Sequence, residues 1–176
     1  AYVQSQLNLI IRIYHRGNLL EAALDEPRPM DTLVKRIGDD LQGASSKGGI
    51  QYQTIERHYA LFPQKSGTLT IPPIAMQARI PGTSRQNNLR FGFDPFSRGS
   101  QITLSSKPLL KEILPPVDSF TGHTWLPADG ITLSRRGLPE ASINRGDAIN
   151  MIIDLSALGL SGAQLPEVQI PGSNTQ

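Results

Sequence analysis

The side chains best equipped for chemistry here are three histidines, two acidic pairs, the serines and one arginine–phenylalanine cluster. His15, His58 and His123 stand far apart, whereas a zinc site built from local sequence needs imidazoles about four to six residues apart. His58 falls beside Glu56 and Arg57 and reads as a surface residue of a strand. The pairs Asp25-Glu26 and Asp39-Asp40 read as solvated turn residues. A calcium loop needs several oxygen ligands spaced around a glycine, and Gly38-Asp39-Asp40 is too short to supply them. Two carboxylates from distant strands can cleave glycosides, but nothing in the sequence aims such a pair at a sugar. The serines have no Gly-x-Ser-x-Gly elbow. Ser45-Ser46 lies in Gly43-Ala44-Ser45-Ser46-Lys47-Gly48-Gly49 without the Gly-Lys-Ser/Thr and helix that cradle a phosphate. That stretch reads as a flexible hairpin tip. With no cysteine, the chain has no thiol nucleophile, thiolate metal site or disulfide. The expectation is a protein that is not an enzyme, with no catalytic residue, metal ligand or cofactor.

The segment Leu89-Arg90-Phe91-Gly92-Phe93-Asp94-Pro95-Phe96-Ser97-Arg98-Gly99 is harder to set aside. It holds three of the chain's five phenylalanines, in a stretch with no long strand pattern. Either the rings fold back as a plug over the end of a sandwich, or they form an exposed patch for a partner. Arginine beside aromatics is the composition of an interface hot spot. Arg90, Phe91, Phe93, Asp94, Phe96 and Arg98 are therefore the candidate partner-binding residues.

The elements that must position these groups repeat with a period of two. Leu7, Leu9, Ile11 and Ile13 alternate with Asn8, Ile10 and Arg12, the mark of a half-buried strand. Pro27 and Pro29 interrupt Leu19–Glu26, making it an edge strand or loop. Residues 32–40 and Ile50–Phe62 flank the Gly-rich turn and read as a hairpin. Met30, Leu33, Val34 and Ile37 also fit a helical face, but the turn signal favours a strand. Pro63 stops one strand and Gly67 allows a reversal before Leu69 and Ile71. Pro81–Gly99 reads as a long loop. Further strands fit Gln101–Ser106, Leu109–Leu114, Ile131–Arg135 and Ile149–Leu155. The pattern of Leu7, Leu9, Ile10, Ile11 and Ile13 recurs in Ile149, Met151, Ile152, Ile153 and Leu155, as two copies of one β-module or simply two buried strands.

The chain divides into a module at 1–114, a proline- and glycine-containing linker at 115–123 and a second module at 124–176. The second has about three strands against the roughly seven of a full sandwich, so it is expected to be incomplete. Net charge is +2 over 176 residues, too small a surplus to imply nucleic acid. The longest apolar run, Tyr59-Ala60-Leu61-Phe62, cannot span a membrane, and no signal-peptide pattern opens the chain.

Four stretches resemble the BatD, or oxygen tolerance, family of bacterial envelope proteins. They are Tyr2-Val3 through Leu7-Asn8-Leu9-Ile10-Ile11-Arg12-Ile13-Tyr14; Ile55-Glu56-Arg57-His58-Tyr59-Ala60-Leu61-Phe62-Pro63 with Gly67 and Ile71-Pro72-Pro73; Phe93-Asp94-Pro95-Phe96 with Arg98-Gly99; and Trp125-Leu126-Pro127-Ala128. Each is weak alone, but their order and spacing cover nearly the whole chain. Gln4 departs from the pattern, where a glycine is common in a turn.

The resemblance implies an all-β fold of tandem immunoglobulin-like β-sandwich modules, the second incomplete. It implies a periplasmic location, with the full-length protein anchored in the cytoplasmic membrane and this portion a soluble fragment. It further implies a role in an envelope complex linked to stress or aerotolerance, with von Willebrand A-domain membrane proteins and tetratricopeptide-repeat proteins as partners. A von Willebrand A metal site can take a partner carboxylate, which makes Asp94 a candidate contact. The family has no established catalytic residues to carry over. The competing expectation is a carbohydrate-binding or adhesion-type sandwich, which needs exposed Trp or Tyr. Trp125 is the only tryptophan and is expected to pack between modules.

Overall fold

Alternating side chains let a strand place one face against a core, and the computed structural model of the chain shows which faces are covered. It describes residues 1–81, 100–137, 142 and 144–168. Strands β1 (Leu7–His15), β3 (Thr32–Lys47) and β4 (Ile50–Pro63) form an antiparallel sheet in the order β1-β4-β3. On one face Leu7 and Leu9 of β1 stand opposite Leu61 and Tyr59 of β4, and Val34 of β3 flanks Leu61 from the other side.

The β3–β4 hairpin corrects two expectations. The Gly/Ser stretch is not a flexible tip: Ser45 pairs with Tyr52 and Ser46 with Gln51. Only Gly48 and Gly49 turn, both with positive φ (59° and 75°), as a two-residue type I′ hairpin turn requires. Pairing with β4 overrides the weak strand propensity of Ala and Ser. Nor is Asp39-Asp40 a solvated turn. Ile37 faces His58 but Leu41 faces Glu56, so Gly38-Asp39-Asp40 bulge within β3 opposite Arg57. Gly38 takes φ 63° at this bulge.

The second layer is another long hairpin, broken by prolines. Strands β5 (Gly67–Ile71) and β6 (Ala75–Ile80) run along one side, β7 (Ser100–Ser105) and β8 (Leu109–Ile113) along the other. The two ladders keep one register, with Ile71 facing Leu109 and Ala75 facing Ser105. Between them the Ser106 N–H donates to the Ile74 carbonyl at 3.0 Å, and the Ile74 N–H donates to Ser106 Oγ at 2.9 Å. Pro72-Pro73 and Pro108 supply no N–H and interrupt the ladder there. Strand β2 (Glu21–Leu24) pairs with β6 as an edge strand.

The core lies between the layers. Leu9, Tyr59, Leu61, Leu69, Ile71, Ile74 and Ile113 form one buried cluster, with Val3, Leu7, Ile11, Leu24 and Val34 packed against it. Leu61 is 1% exposed, and burying one leucine side chain stabilises the fold by roughly 1.5–3 kcal/mol. The molecule is an all-β protein, and β1 to β8 form this layered unit.

Beyond it, β9 (Gly130–Arg136) and β10 (Ile152–Leu158) pair as an antiparallel ribbon. β10 begins at Ile152 rather than Ile149, because its register with β9 ends where Ile152 meets Arg136. A single 3-10 turn follows at Gly162–Gln164. The ribbon meets the first unit at the N-terminal turn. There the Ser5 N–H bonds the Tyr2 carbonyl at 3.1 Å and Gln4 holds φ 66°. That is the third position of a type II turn, which favours glycine. Trp125 Nε1 donates to the Val3 carbonyl (3.0 Å) and Gln164 Nε2 to the Gln4 carbonyl (2.9 Å). Among the described residues no helix is long and apolar enough to cross a membrane.

Candidate functional site

The β1-β4-β3 sheet has two working faces. On the face turned away from the core, residues line up in rungs across the strands: Ile10–His58–Ile37, then Arg12–Glu56–Leu41, then Tyr14–Thr54–Gly43. Ile10, Leu33, Ile37 and Leu41 are 44–58% exposed. Among these aliphatics runs one charged rung. Arg12 Nε donates to Glu56 Oε1 at 2.7 Å, and His58 Nε2 lies 3.4 Å from Glu56 Oε2. Tyr14 and Tyr52 meet edge to face at 6.2 Å, further along the same face.

On the core-facing side the aliphatic packing gives way to an ion cluster. Arg57 grips Asp40 with two parallel bonds, Nε to Oδ1 and a terminal nitrogen to Oδ2, both 2.7 Å. Arg36 adds a third bond to Oδ1 at 3.0 Å. The bulge makes this possible by bringing Asp40 over Arg57, and forked guanidinium geometry suits a carboxylate. Tyr59, opposite Arg36 in the ladder, has a buried hydroxyl without a hydrogen-bond partner.

The electrostatics fix these charges. Asp40 is held below the ordinary carboxylate range, chiefly by its hydrogen bonds from Arg57. Glu56 is lowered chiefly by its bond from Arg12. Arg57 is raised above its ordinary value by Asp40, and Arg12 by Tyr14 and then Glu56. Asp40 and Glu56 therefore stay ionised and Arg57 and Arg12 stay protonated at neutral pH. Exposed aliphatics beside fixed charges are a composition that can bury area and set orientation on docking.

The structure treats the predicted residues unevenly. Arg90, Phe91, Phe93, Asp94, Phe96 and Arg98 lie outside the described residues. His58 is half-buried in β4 between Ile10 and Ile37. His15 contacts the Gly17 carbonyl through Nδ1 at 3.0 Å. Trp125 is half-buried at the junction, edge to face with Tyr2 (5.7 Å) and Phe120 (5.1 Å). Among the described residues no group of three or more His, Cys, Asp or Glu could hold a metal ion.

Sequence reasoning missed the aliphatic face and the Asp40–Arg57 pair. The first had a signal: Ile10 breaks the alternation of β1 by placing an apolar residue on the polar parity. The second had none, because the bulge that joins Asp40 to Arg57 is a property of strand register. Comparison with protein-family models, curated proteins and solved structures finds no match.

Proposed function

We propose that this chain is a non-enzymatic interaction scaffold that docks onto other proteins through its β1-β4-β3 sheet. The observation that supports it is the row of exposed aliphatics, Ile10, Leu33, Ile37 and Leu41, around the fixed Arg12–Glu56 pair. Exposed apolar side chains beside charges are the ordinary composition of a protein-binding patch. Its aliphatics are removed from water on docking, while Arg12 and Glu56 penalise wrongly oriented partners.

The setting of this reading comes from the resemblance to the BatD family. It places the scaffold in the periplasm, with the full-length protein anchored in the cytoplasmic membrane. Its partners are von Willebrand A-domain membrane proteins and tetratricopeptide-repeat proteins, in an envelope complex linked to stress or aerotolerance.

The test is capture from detergent-solubilised bacterial envelope with bound proteins identified. The wild-type chain is compared with an Ile37→Asp/Leu41→Asp variant of equal melting temperature. The expected result is a von Willebrand A-domain protein on the wild type and its loss on the variant. Equal capture by both would remove the sheet face from the reading, and capture of no such protein by either would remove the partner class. A parallel Phe93→Ser/Phe96→Ser variant reads whether the phenylalanine segment contributes to the same binding.

A further inference from the structure

The second layer changes width along its length. It is three strands wide where β2, β6 and β7 pair, but two wide where β5 pairs with β8. Because β5 and β6 share one line and one register with β7 and β8, the place beside β5 is where β2 would run if it continued. It does not continue. The last bond of its line is the Asp25 N–H to the Ala75 carbonyl at 2.9 Å. Pro27 and Pro29 follow, both buried and both without an N–H to donate. They carry the chain across to β3 in the other layer.

A cleft of about 440 Å³ occupies the vacated place. Thr68, Leu69 and Thr70 of β5 form one wall, and Arg28, Met30 and Thr32 the other. Past Pro72 it adjoins a second hollow of about 320 Å³ beside Asp25, Glu26 and Ile74, which again touches Arg28. Along this edge roughly half of the N–H and C=O groups of β5 point away from β8. No backbone bond beyond the β8 ladder reaches Gly67–Ile71 among the described residues. Natural edges are usually guarded by a charge, a proline or a bulge. Gly67-Thr68-Leu69-Thr70-Ile71 has none of these.

Of the charges lining the cleft itself one is unpaired, while Asp25 and Glu26 of the adjoining hollow also have no ion pair among the described residues. Lys65 Nζ pairs with Asp31 Oδ2 at 3.0 Å. Arg28 is exposed and has no ion pair among the described residues. Met30 is 84% exposed on the same wall.

We infer that this cleft receives an extended segment of a partner protein as an added strand, antiparallel to β5 and prolonging the line of β2, with an acidic side chain of that segment facing Arg28. Backbone bonds to the β5 edge supply binding, and the Arg28 charge selects the segment. The cleft is separate from the aliphatic face of the β1-β4-β3 sheet, and its occupancy does not depend on that face being used.

The experiment uses the full 176-residue chain and three capped synthetic peptides. The first alternates threonine and valine around a central glutamate. The second replaces that glutamate with lysine. The third replaces two valines with proline. Affinity is read by fluorescence anisotropy and backbone protection by amide hydrogen exchange. The glutamate peptide should bind at least about tenfold more tightly than the lysine peptide, and the proline peptide should not bind. New protection should appear within Gly67–Ile71. An Arg28→Glu variant, shown to be folded by circular dichroism, should reverse the preference between the first two peptides. Failure of the glutamate peptide to bind, or binding with no protection in β5 and no response to Arg28→Glu, would overturn the inference. So would a wild-type dimer, seen by sedimentation, that protects β5 without peptide, since a second copy would then fill the place.

Discussion

Strands β1 and β10 carry similar aliphatic alternation and meet different fates. In β1, Leu9 is buried to 8% exposure beneath the β5–β8 layer. In the β9–β10 ribbon, Leu133 faces Leu155 and Ile131 faces Ala157 on one side. Yet Ile153, Leu155 and Ala157 of β10 are only half-buried, every residue of β9 is exposed, and Leu133 stands at 63%. Period two tells a strand which of its faces is apolar, but burial also needs a second layer to cover that face. Among the described residues the β9–β10 ribbon has none, and a two-stranded ribbon is marginal alone in water. Here it is tied to the layered unit by the bonds of Trp125 and Gln164 to the carbonyls of Val3 and Gln4.

The same truncation in the two regions tests this contrast most directly. Leu61→Ala should cost about 2–5 kcal/mol in chemical denaturation, since it removes buried methyls and leaves a cavity. A loss under about 1 kcal/mol would mean the core is looser than its burial indicates.

Next in size is the ion cluster beside that core. Asp40→Ala leaves Arg57 part-buried without its fork and should cost about 1–2 kcal/mol at pH 7, discounted for partial exposure. The sign with pH follows from the lowered Asp40 value. Its contribution is full above the unfolded value of about 3.9 and is lost as pH falls through the lower folded value. Stability curves of wild type and variant should therefore converge in acid, and a gap constant from pH 7 to pH 2 would refute the ionic origin.

At the junction the effect reverses direction. Gln4→Gly relieves a left-handed backbone at φ 66° and should stabilise by about 0.5–1 kcal/mol, the strain relief exceeding the added freedom of the unfolded chain. A destabilised variant would show that the Gln4 side chain matters more than its backbone.

Smallest of all should be Leu133→Ala, within about 0.5 kcal/mol, as for an exposed position without special contacts. A cost matching that of Leu61→Ala would break the comparison, because it would show the ribbon covered in solution.

Much of the fold was legible beforehand. The β1 alternation, the hairpin between the third and fourth strands, and the restart at Leu69 and Ile71 all follow from local rules. The prolines also mark Leu19–Glu26 as an edge strand or loop, and the edge strand β2 lies within it. The errors fell where pairing overrode propensity. Gly43–Lys47 reads as a turn because its residues are weak strand formers, but pairing with Ile50–Thr54 of β4 holds it extended. Asp39-Asp40 looked solvated because acidic pairs beside glycine usually are, but a bulge turns Asp40 onto Arg57, seventeen residues away.

By itself, the sequence determined the all-β character, the proline stops and a glycine-rich reversal within residues 43–49. These depend on dihedral preferences and side-chain alternation within a few residues. Only the tertiary structure decided which aliphatic faces are covered, which arginine meets Asp40, and that the layer narrows beside β5. Each of these depends on which strands meet and in what register, and that is set by segments far apart in the chain whose backbone bonds and apolar faces must be satisfied together.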